Sequence, residues 1–433
     1  MAESFVRKEM LEAQAPPASQ AGAIAWVREN LFSGPLNTIL TVLGILVIYW
    51  LISTSLPWWL NGVWNAGSLS ECRSIVAASA GEGATGACWA MLRERWHQFI
   101  FGFYPPESYW RPILAFVLLF VALAPVLFTS VSRKALWFTA IYPALCFWLL
   151  WGGPIWTPIV AMMGFVILGL AVVYLSSYLG APGSAAAGVV AAVLWWLFLQ
   201  GPVAGFLASS LPFGLDPVNS DRFGGFLLAI TIGVTAIGCS LPIGIILALG
   251  RQSNMVIVKS LSVAFIEFIR GVPLITLLFT ASLLLQYFLP PNTNFDIILR
   301  VIILVTFFAA AYLAEVIRGG LAALPRGQYE AADALGLDYW QAQRLIILPQ
   351  ALKISIPGIV SSFIGLFKDT TLVAFVGLMD PLKGVTQIVR ADMNWKGIYW
   401  EPYIFVGAIF FIICFGMSRY SMYLERKLKT DHR

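Results

Sequence analysis

The residues best suited to a specific task form one polar stretch, residues 329–349, set between long apolar segments. Its fixed spacing is Glu-Ala-Ala, three residues, Gly, nine residues and Ile-x-Leu-Pro, supplied by Glu330, Ala331, Ala332, Gly336, Ile346, Leu348 and Pro349. Small helix-forming residues with an acid in the first turn are typical of a short helix that inserts closely into a groove on a partner. An ordinary amphipathic cytoplasmic loop has the same features, so the spacing supports both interpretations.

The turn residues divide this stretch into two short helices. Gly336 is expected to end or kink the first helix, and Asp338 can cap the second. Pro349 is expected to stop or bend the second helix before the next apolar segment.

Residue types that carry most enzymatic chemistry are scarce. The chain has no GxxxxGK[ST] pattern and no Gly-Lys dipeptide, so it cannot build a P-loop. His97 and His432 are the only histidines, and they cannot form a metal cluster with ligand spacing. We therefore expect neither a metal site nor a cofactor in this chain. A membrane enzyme is disfavoured, and a mechanism that uses carboxylates alone is the enzymatic alternative left open.

Charged residues inside apolar segments form a second group of candidates, because each costs at least about 2.5–3.5 kcal/mol at mid-membrane unless it is paired or hydrated. Glu315 and Arg318 are three residues apart on a predicted helix, and we expect a structural ion pair. Arg270 either attracts an acidic substrate or orients the end of its span. Four consecutive polar residues are candidates either for a path across the membrane or for pairing at its inner interface: Lys368, Asp369, Thr370 and Thr371.

The composition shows what must hold these residues. Hydrophobic residues make up 59% of the 433 residues and charged residues only 11%, whereas soluble domains carry about 25% charged residues. Residues 135–215 contain no Asp, Glu, Lys or Arg. Such runs exceed the roughly 20 apolar residues that cross a hydrocarbon core, and the alternating segments of a membrane barrel are absent. The sequence predicts an all-α integral membrane protein.

About ten transmembrane helices, with both chain ends in the cytoplasm, fit the apolar segments and the charges. Basic residues near span ends mark the cytoplasmic side, so the net charge of +5 orients the chain and does not indicate nucleic acid. A polar, mixed-charge run precedes the first span, which we expect to be a retained anchor. The predicted spans are Leu36–Leu56, Pro112–Thr129, Leu136–Trp151, Ile159–Tyr178, Val189–Leu207, Gly224–Gly250, Ile269–Leu289, Ile298–Ile317, Leu352–Met379 and Tyr403–Tyr420.

The clearest internal boundary is Pro212–Arg222, which concentrates Pro, Gly, Asp and Asn between two charge-free spans. We therefore predict three parts. Residues 1–35 form a cytoplasmic tail, and residues 36–222 form a five-span extension with an extracytoplasmic loop at residues 61–111. Residues 223–433 form a five-span core that contains the polar loop 326–349.

Two of the five cysteines lie in the predicted extracytoplasmic loop. A disulfide between Cys72 and Cys88 would close a loop of about 15 residues and contribute on the order of 3 kcal/mol. Two free thiols in the loop are the alternative. The other cysteines lie in apolar helical segments, where they pack as small hydrophobic residues: Cys146, Cys239 and Cys414.

The spacing in residues 330–349 resembles the EAA loop of bacterial ABC-importer permeases, and every fixed position is met. Residues 268–273 (FIRGVP), 311–320 (AYLAEVIRGG) and 368–373 (KDTTLV) are similar to signatures of the polar amino-acid branch of that family. The resemblance covers residues 223–429 and implies a type I permease core of five helices. The long extension with its cysteine pair is similar to the general L-amino-acid and glutamate/glutamine/aspartate/asparagine permeases, M/C-type subunit.

The resemblance implies a non-catalytic permease in the bacterial inner membrane, embedded in lipid. Its expected partners are an ABC ATPase dimer, a second homologous permease, a periplasmic binding protein and an amino-acid substrate, with ATP and Mg on the ATPase. The residues that would couple to the ATPase are Glu330, Ala331, Ala332, Asp333, Gly336, Leu348 and Pro349. The rival class, a self-sufficient secondary transporter or channel, predicts inverted repeats with matching broken helices, and the sequence shows none.

Overall fold

The computed structural model describes residues 22–288 and 296–428, and these are almost entirely helical. Of the predicted cytoplasmic tail, residues 1–21 lie outside the described residues. The helices are α1 Gly22–Leu31, α2 Pro35–Leu60, α3 Leu69–Ala80, α4 Ala90–Phe101, α5 Trp110–Leu127, α6 Leu136–Trp151, α7 Trp156–Leu194, α8 Gln200–Ser210, α9 Gly225–Gln252, α10 Val256–Gly271, α11 Leu274–Phe288, α12 Ile297–Ala322, α13 Gly327–Ala334, α14 Tyr339–Ala342, α15 Leu348–Asp369, α16 Pro381–Ala391 and α17 Trp400–Leu428. Two short strands, β1 Gly153–Pro154 and β2 Gly214–Leu215, pair antiparallel.

Nine helices in the described ranges are long and apolar enough to cross a membrane, or up to ten when a bent pair is taken as one span. This confirms the prediction of an all-α membrane protein with about ten transmembrane helices. The predicted break between the fourth and fifth spans lies inside α7, where Gly180 leaves helical geometry, and the spans become Trp156–Gly180 and Gly183–Ser210.

The predicted span Ile269–Leu289 starts in the wrong place. α10 and the first part of α11 meet at an angle of 101°, with the break at Val272 and Pro273. Pro273 cannot donate the N–H that would continue α10, so the chain turns there. The apolar run therefore begins on one helix and continues on another, and Leu289 lies outside the described residues.

The chain forms two compact units, which are described separately. The unit that ends at Met91 contains α1, α2 and α3. Cys72 and Cys88 are joined by a disulfide in this unit, with their Cα atoms 6.0 Å apart. The ring of Trp89 lies 5.1–5.7 Å from three further tryptophan rings, those of Trp58, Trp59 and Trp64. No residue of α2 is buried, so its apolar side chains face outward all around the helix.

The second unit runs from Leu92 to Arg433, and its core is built on α9, α12 and α15. Small residues let these helices approach closely: a Cβ on Gly244 of α9 would lie 2.9 Å from the Cβ of Leu313 on α12. One buried cluster contains residues from α5 and α6 together with residues from α9, α11 and α12, including Ala115, Leu149, Ile232 and Val301. The second and third predicted spans of the extension therefore pack directly on the core, while the domain boundary at residue 222 stays a prediction.

Candidate functional site

The polar loop opens with α13, whose end is set by Gly336. The Gly336 N–H donates to the Asp333 carbonyl at 2.9 Å and the Leu337 N–H to the Ala332 carbonyl at 3.3 Å. This pair of bonds is a Schellman motif, which requires a left-handed residue, and Gly336 has φ +70°. No atom of the described residues lies within 4 Å of a Cβ built on Gly336. Within the chain, glycine is needed here for its backbone conformation and not for space.

Asp338 caps the next helix, as the sequence predicted. Its carboxylate accepts the Gln341 N–H at 2.9 Å, and the Gln341 side chain accepts the Asp338 N–H at 3.2 Å, which completes a capping box. The two caps satisfy the backbone at both sides of the turn. The loop is thus a defined helix-turn-helix and not an irregular connection.

Of the two outcomes expected from the sequence at Pro349, stopping or bending the second helix, the stop is wrong. Helical geometry runs from α14 through a π-helical turn, Gln343–Ile347, into α15. The wider turn lies just before Pro349, where the missing N–H and the bulk of the ring disturb the regular helix, so it accommodates the proline without a break. Leu348 is half-buried and Pro349 is exposed at the start of α15.

The two alanines of the loop face opposite ways. Ala332 is 1% exposed and packs inside the chain, whereas Ala331 is exposed, as are Glu330 and Asp333. The small size of Ala332 therefore serves the chain's own packing. Ala331 and the two acids are left for a contact with another molecule.

An exposed apolar ridge continues from α13 across α14, and sequence reasoning missed it. Leu335 is 71% exposed, Trp340 66% and Leu345 64%, and the ring of Tyr339 meets that of Trp340 edge-on at 5.3 Å. Side chains of this size on a polar loop mark an interaction surface. The signal present in the sequence was the run of aromatic and aliphatic residues at helical spacing inside the polar stretch.

A hydrogen bond ties this loop to the membrane helix that follows. The Gln350 side-chain N–H donates to Gln328 Oε1 at 2.9 Å and to the Ile346 carbonyl at 3.0 Å. Gln328 lies on α13 and Gln350 on α15, so a displacement of α13 acts on α15 directly.

The predicted ion pair is part of a larger network at the ends of α9, α10 and α12. Arg318 lies 3.0 Å from Glu315, as the three-residue spacing suggested, and Arg251 lies 2.9 Å from the same carboxylate. Arg270 is 3.8 Å from Glu315 and 5.4 Å from the ring of Tyr312. The structure thus places Arg270, a candidate for the translocation path, in this network.

The four other candidates for the translocation path lie at the end of α15. Thr370 is buried and its hydroxyl donates to the Phe367 carbonyl at 2.7 Å, while the Thr371 hydroxyl donates to the Lys368 carbonyl at 2.9 Å. Lys368 is exposed and Asp369 is half-buried. Both hydroxyls are used within the helix end, and only Lys368 and Asp369 present charge to the surroundings.

No group of three or more His, Cys, Asp or Glu side chains that could hold a metal occurs in residues 22–288 and 296–428. The site consists of a capped, exposed helix-turn-helix between two membrane helices, with an ion network beside it. This arrangement defines a class of integral membrane protein that exposes an ordered polar loop between two membrane helices.

The comparisons with known proteins identify the family. Residues 240–430 match the family described as "Binding-protein-dependent transport system inner membrane component". The glutamate/glutamine/aspartate/asparagine transport system permease protein BztC of Rhodobacter capsulatus is 70% identical over 99% of both chains. The inner membrane amino-acid ABC transporter permease protein YhdY of Escherichia coli is 39% identical over 98% of both chains. The glutamate/aspartate import permease protein GltK of Escherichia coli is 32% identical, over 51% of this chain and 96% of its own length. The chain belongs to the amino-acid ABC transporter permeases.

Proposed function

We propose that this chain is the transmembrane permease subunit of an importer for glutamate, glutamine, aspartate and asparagine in the bacterial inner membrane. The substrate class rests on the named function of the 70% identical relative. The chain itself would not hydrolyse ATP, because it contains no P-loop. ATP and Mg belong to a separate ATPase dimer, and a second permease and a periplasmic binding protein complete the assembly.

The observation that carries this proposal is the exposed ridge on a loop whose central turn is capped on both sides. The ATPase would dock on Glu330, Ala331 and Asp333 of α13 and on the ridge around Leu335 and Trp340. Docking of the ATPase on this loop would place the loop 326–349 in the cytoplasm, together with both chain ends.

Coupling would follow the hydrogen bond between Gln328 and Gln350 from α13 into α15. ATP binding would close the ATPase dimer, displace α13, and rock the spans from an inward-facing to an outward-facing state. The loop would have two positions, and ATP bound to the ATPase would favour one of them. Leu348 and Pro349 stand at the start of the helix that would carry the displacement.

Copurification and reconstitution test the proposal. A tagged full-length chain should copurify with the ATPase and a second permease, and uptake into proteoliposomes should require ATP together with the binding protein. Leu335→Asp should remove the ATPase, while the matched variant Leu335→Met should retain it, because a charge cannot be buried in an apolar contact without a partner. Uptake of amino acids by this chain alone, driven by an ion gradient, would instead establish the rival secondary transporter.

A further inference from the structure

The segment between α15 and α17 takes its polar partners from the N-terminal extension. Trp395 is fully buried, and its indole N–H donates to Glu94 Oε2 at 2.9 Å. Asp392 forms an ion pair and a hydrogen bond with Arg95. Glu94 and Arg95 lie on α4, about 300 residues earlier in the chain. The indole donor of the core segment therefore takes its acceptor from α4, and the Asp392 carboxylate, which also accepts the Asn394 N–H at 3.0 Å, takes its ion-pair partner from α4.

The main chains of the extension and of the core also contact each other beside these side chains. Gly102 pairs with Phe223 at the start of the core, and Gly224 pairs with Met379. The Gly225 N–H donates to the Met379 carbonyl at 2.8 Å. A Cβ on Gly102 would overlap the backbone of Gly224, and a Cβ on Gly225 would overlap the backbone of Phe99. Glycine is required at both positions, so the extension and the core are fitted to each other at the level of the main chain.

This junction lies at the end of the bundle opposite the polar loop. α9 and α17 begin at the junction and α15 ends there, whereas α12 ends and α15 begins at the polar loop. Segment 379–398 therefore lies across the membrane from the surface on which the ATPase is proposed to dock.

We propose that α4 is a positioning clamp: it holds segment 379–398 in one conformation and moves with that segment as one body during transport. The proposal rests on the transport function above. Without α4, the Trp395 indole N–H would be buried without an acceptor and the Asp392 carboxylate would lose its ion pair while keeping the Asn394 N–H, and each loss disfavours the observed conformation. A segment that connects two membrane helices has to keep its shape while those helices rock, and the clamp supplies that rigidity.

The first test removes the clamp's contacts in the complete complex. Glu94→Leu should lower amino-acid uptake about tenfold, the size expected when a buried donor loses its partner, and Arg95→Ala, which removes a partly exposed ion pair, should lower it less. Glu94→Gln keeps an acceptor for the indole and should retain uptake, and the exchanged pair Arg95→Asp with Asp392→Arg should restore it. Copurification of the ATPase should be unchanged, and the ATP hydrolysed per amino acid carried should rise.

The second test asks whether the contact has to open. Arg95→Cys and Asp392→Cys are combined in a chain whose Cys146, Cys239 and Cys414 are replaced by alanine, and the two new thiols are joined with a short bis-methanethiosulfonate, from which each thiolate displaces methanesulfinate. If the clamp and the segment move as one body, cross-linking should restore the uptake that the two substitutions remove. Loss of the remaining uptake on cross-linking would overturn the proposal, because it would show a gate that has to separate.

Wild-type uptake, normalised to the amount of permease in the membrane, distinguishes a failure of the proposed function from a failure of the clamp. A wild-type complex that shows no ATP-dependent uptake would refute the proposed function. An active wild type in which Glu94→Leu and Arg95→Ala transport normally would refute the clamp alone.

Discussion

Replacing Gly336 tests why the loop needs glycine. Gly336 has φ +70°, a conformation that costs an L-residue roughly 1–2 kcal/mol. The described part of the chain adds no steric penalty, since none of its atoms lies within 4 Å of an added Cβ. A loss of this size changes the population of the capped loop by a factor of about 5–30.

Two substitutions separate backbone conformation from space at a partner. Asparagine is larger than alanine but tolerates the left-handed conformation better. If conformation decides, Gly336→Asn should retain more ATPase and more uptake than Gly336→Ala, and Gly336→Val should retain least. If glycine is needed for close approach to a groove on the ATPase, Gly336→Ala should retain more ATPase and more uptake than Gly336→Asn.

The assays are copurification of the ATPase with the tagged complex and ATP-dependent uptake in proteoliposomes, both at matched permease content. Wild-type ATPase retention and uptake in Gly336→Ala and Gly336→Val together would refute the reasoning. Neither a conformational requirement nor a close contact would then exist at this position.

Two further predictions concern buried charges. Glu315→Gln should lower the free energy of unfolding by about 3 kcal/mol, because it leaves three arginines around an uncharged amide; Glu267→Gln, at an exposed pair with Arg251 alone, should cost less than about 1 kcal/mol. Thermal unfolding of the purified complex measures both, and an equal effect of the two would contradict the network. Burial raises the pKa of Asp380 to about 6 even though the amides of Leu382 and Lys383 donate to it. The folded state therefore binds the proton more tightly, and this contribution to stability is complete below about pH 4 and lost as the pH rises through 6. Asp380→Asn should remove that pH dependence, by up to about 3 kcal/mol between the two limits, and an unchanged difference between pH 4 and pH 7 would refute it.

Local chemistry was predictable from the sequence where a short pattern determines it. The αL turn at Gly336 and the capping box at Asp338 depend on neighbouring residues alone, and the three-residue spacing of Glu315 and Arg318 suggested their contact. The helix through Pro349 was not predictable, because a wider turn one step earlier in the chain absorbs the proline.

Contacts between distant parts of the chain are not marked by any recognisable pattern in the sequence. Arg270 reaches Glu315 only because α10 bends sharply into α11 and packs on α12. Glu94 and Trp395 are 301 residues apart, and neither lies in a recognisable motif. The exposure of Leu335 and Trp340 likewise depends on which face of the loop turns inward, a property of tertiary packing.

The uninterrupted helix from Tyr339 to Asp369 also determines how far the polar loop extends from the membrane. At 1.5 Å per residue it is roughly 45 Å long, whereas the hydrocarbon core measures about 30 Å. With its far end at the opposite surface of the core, the helix stands about 15 Å clear of the hydrocarbon, which exceeds the depth of one headgroup layer. A partner that meets the loop there touches water and not lipid, so an ordinary water-soluble protein with no affinity for membranes can bind and leave.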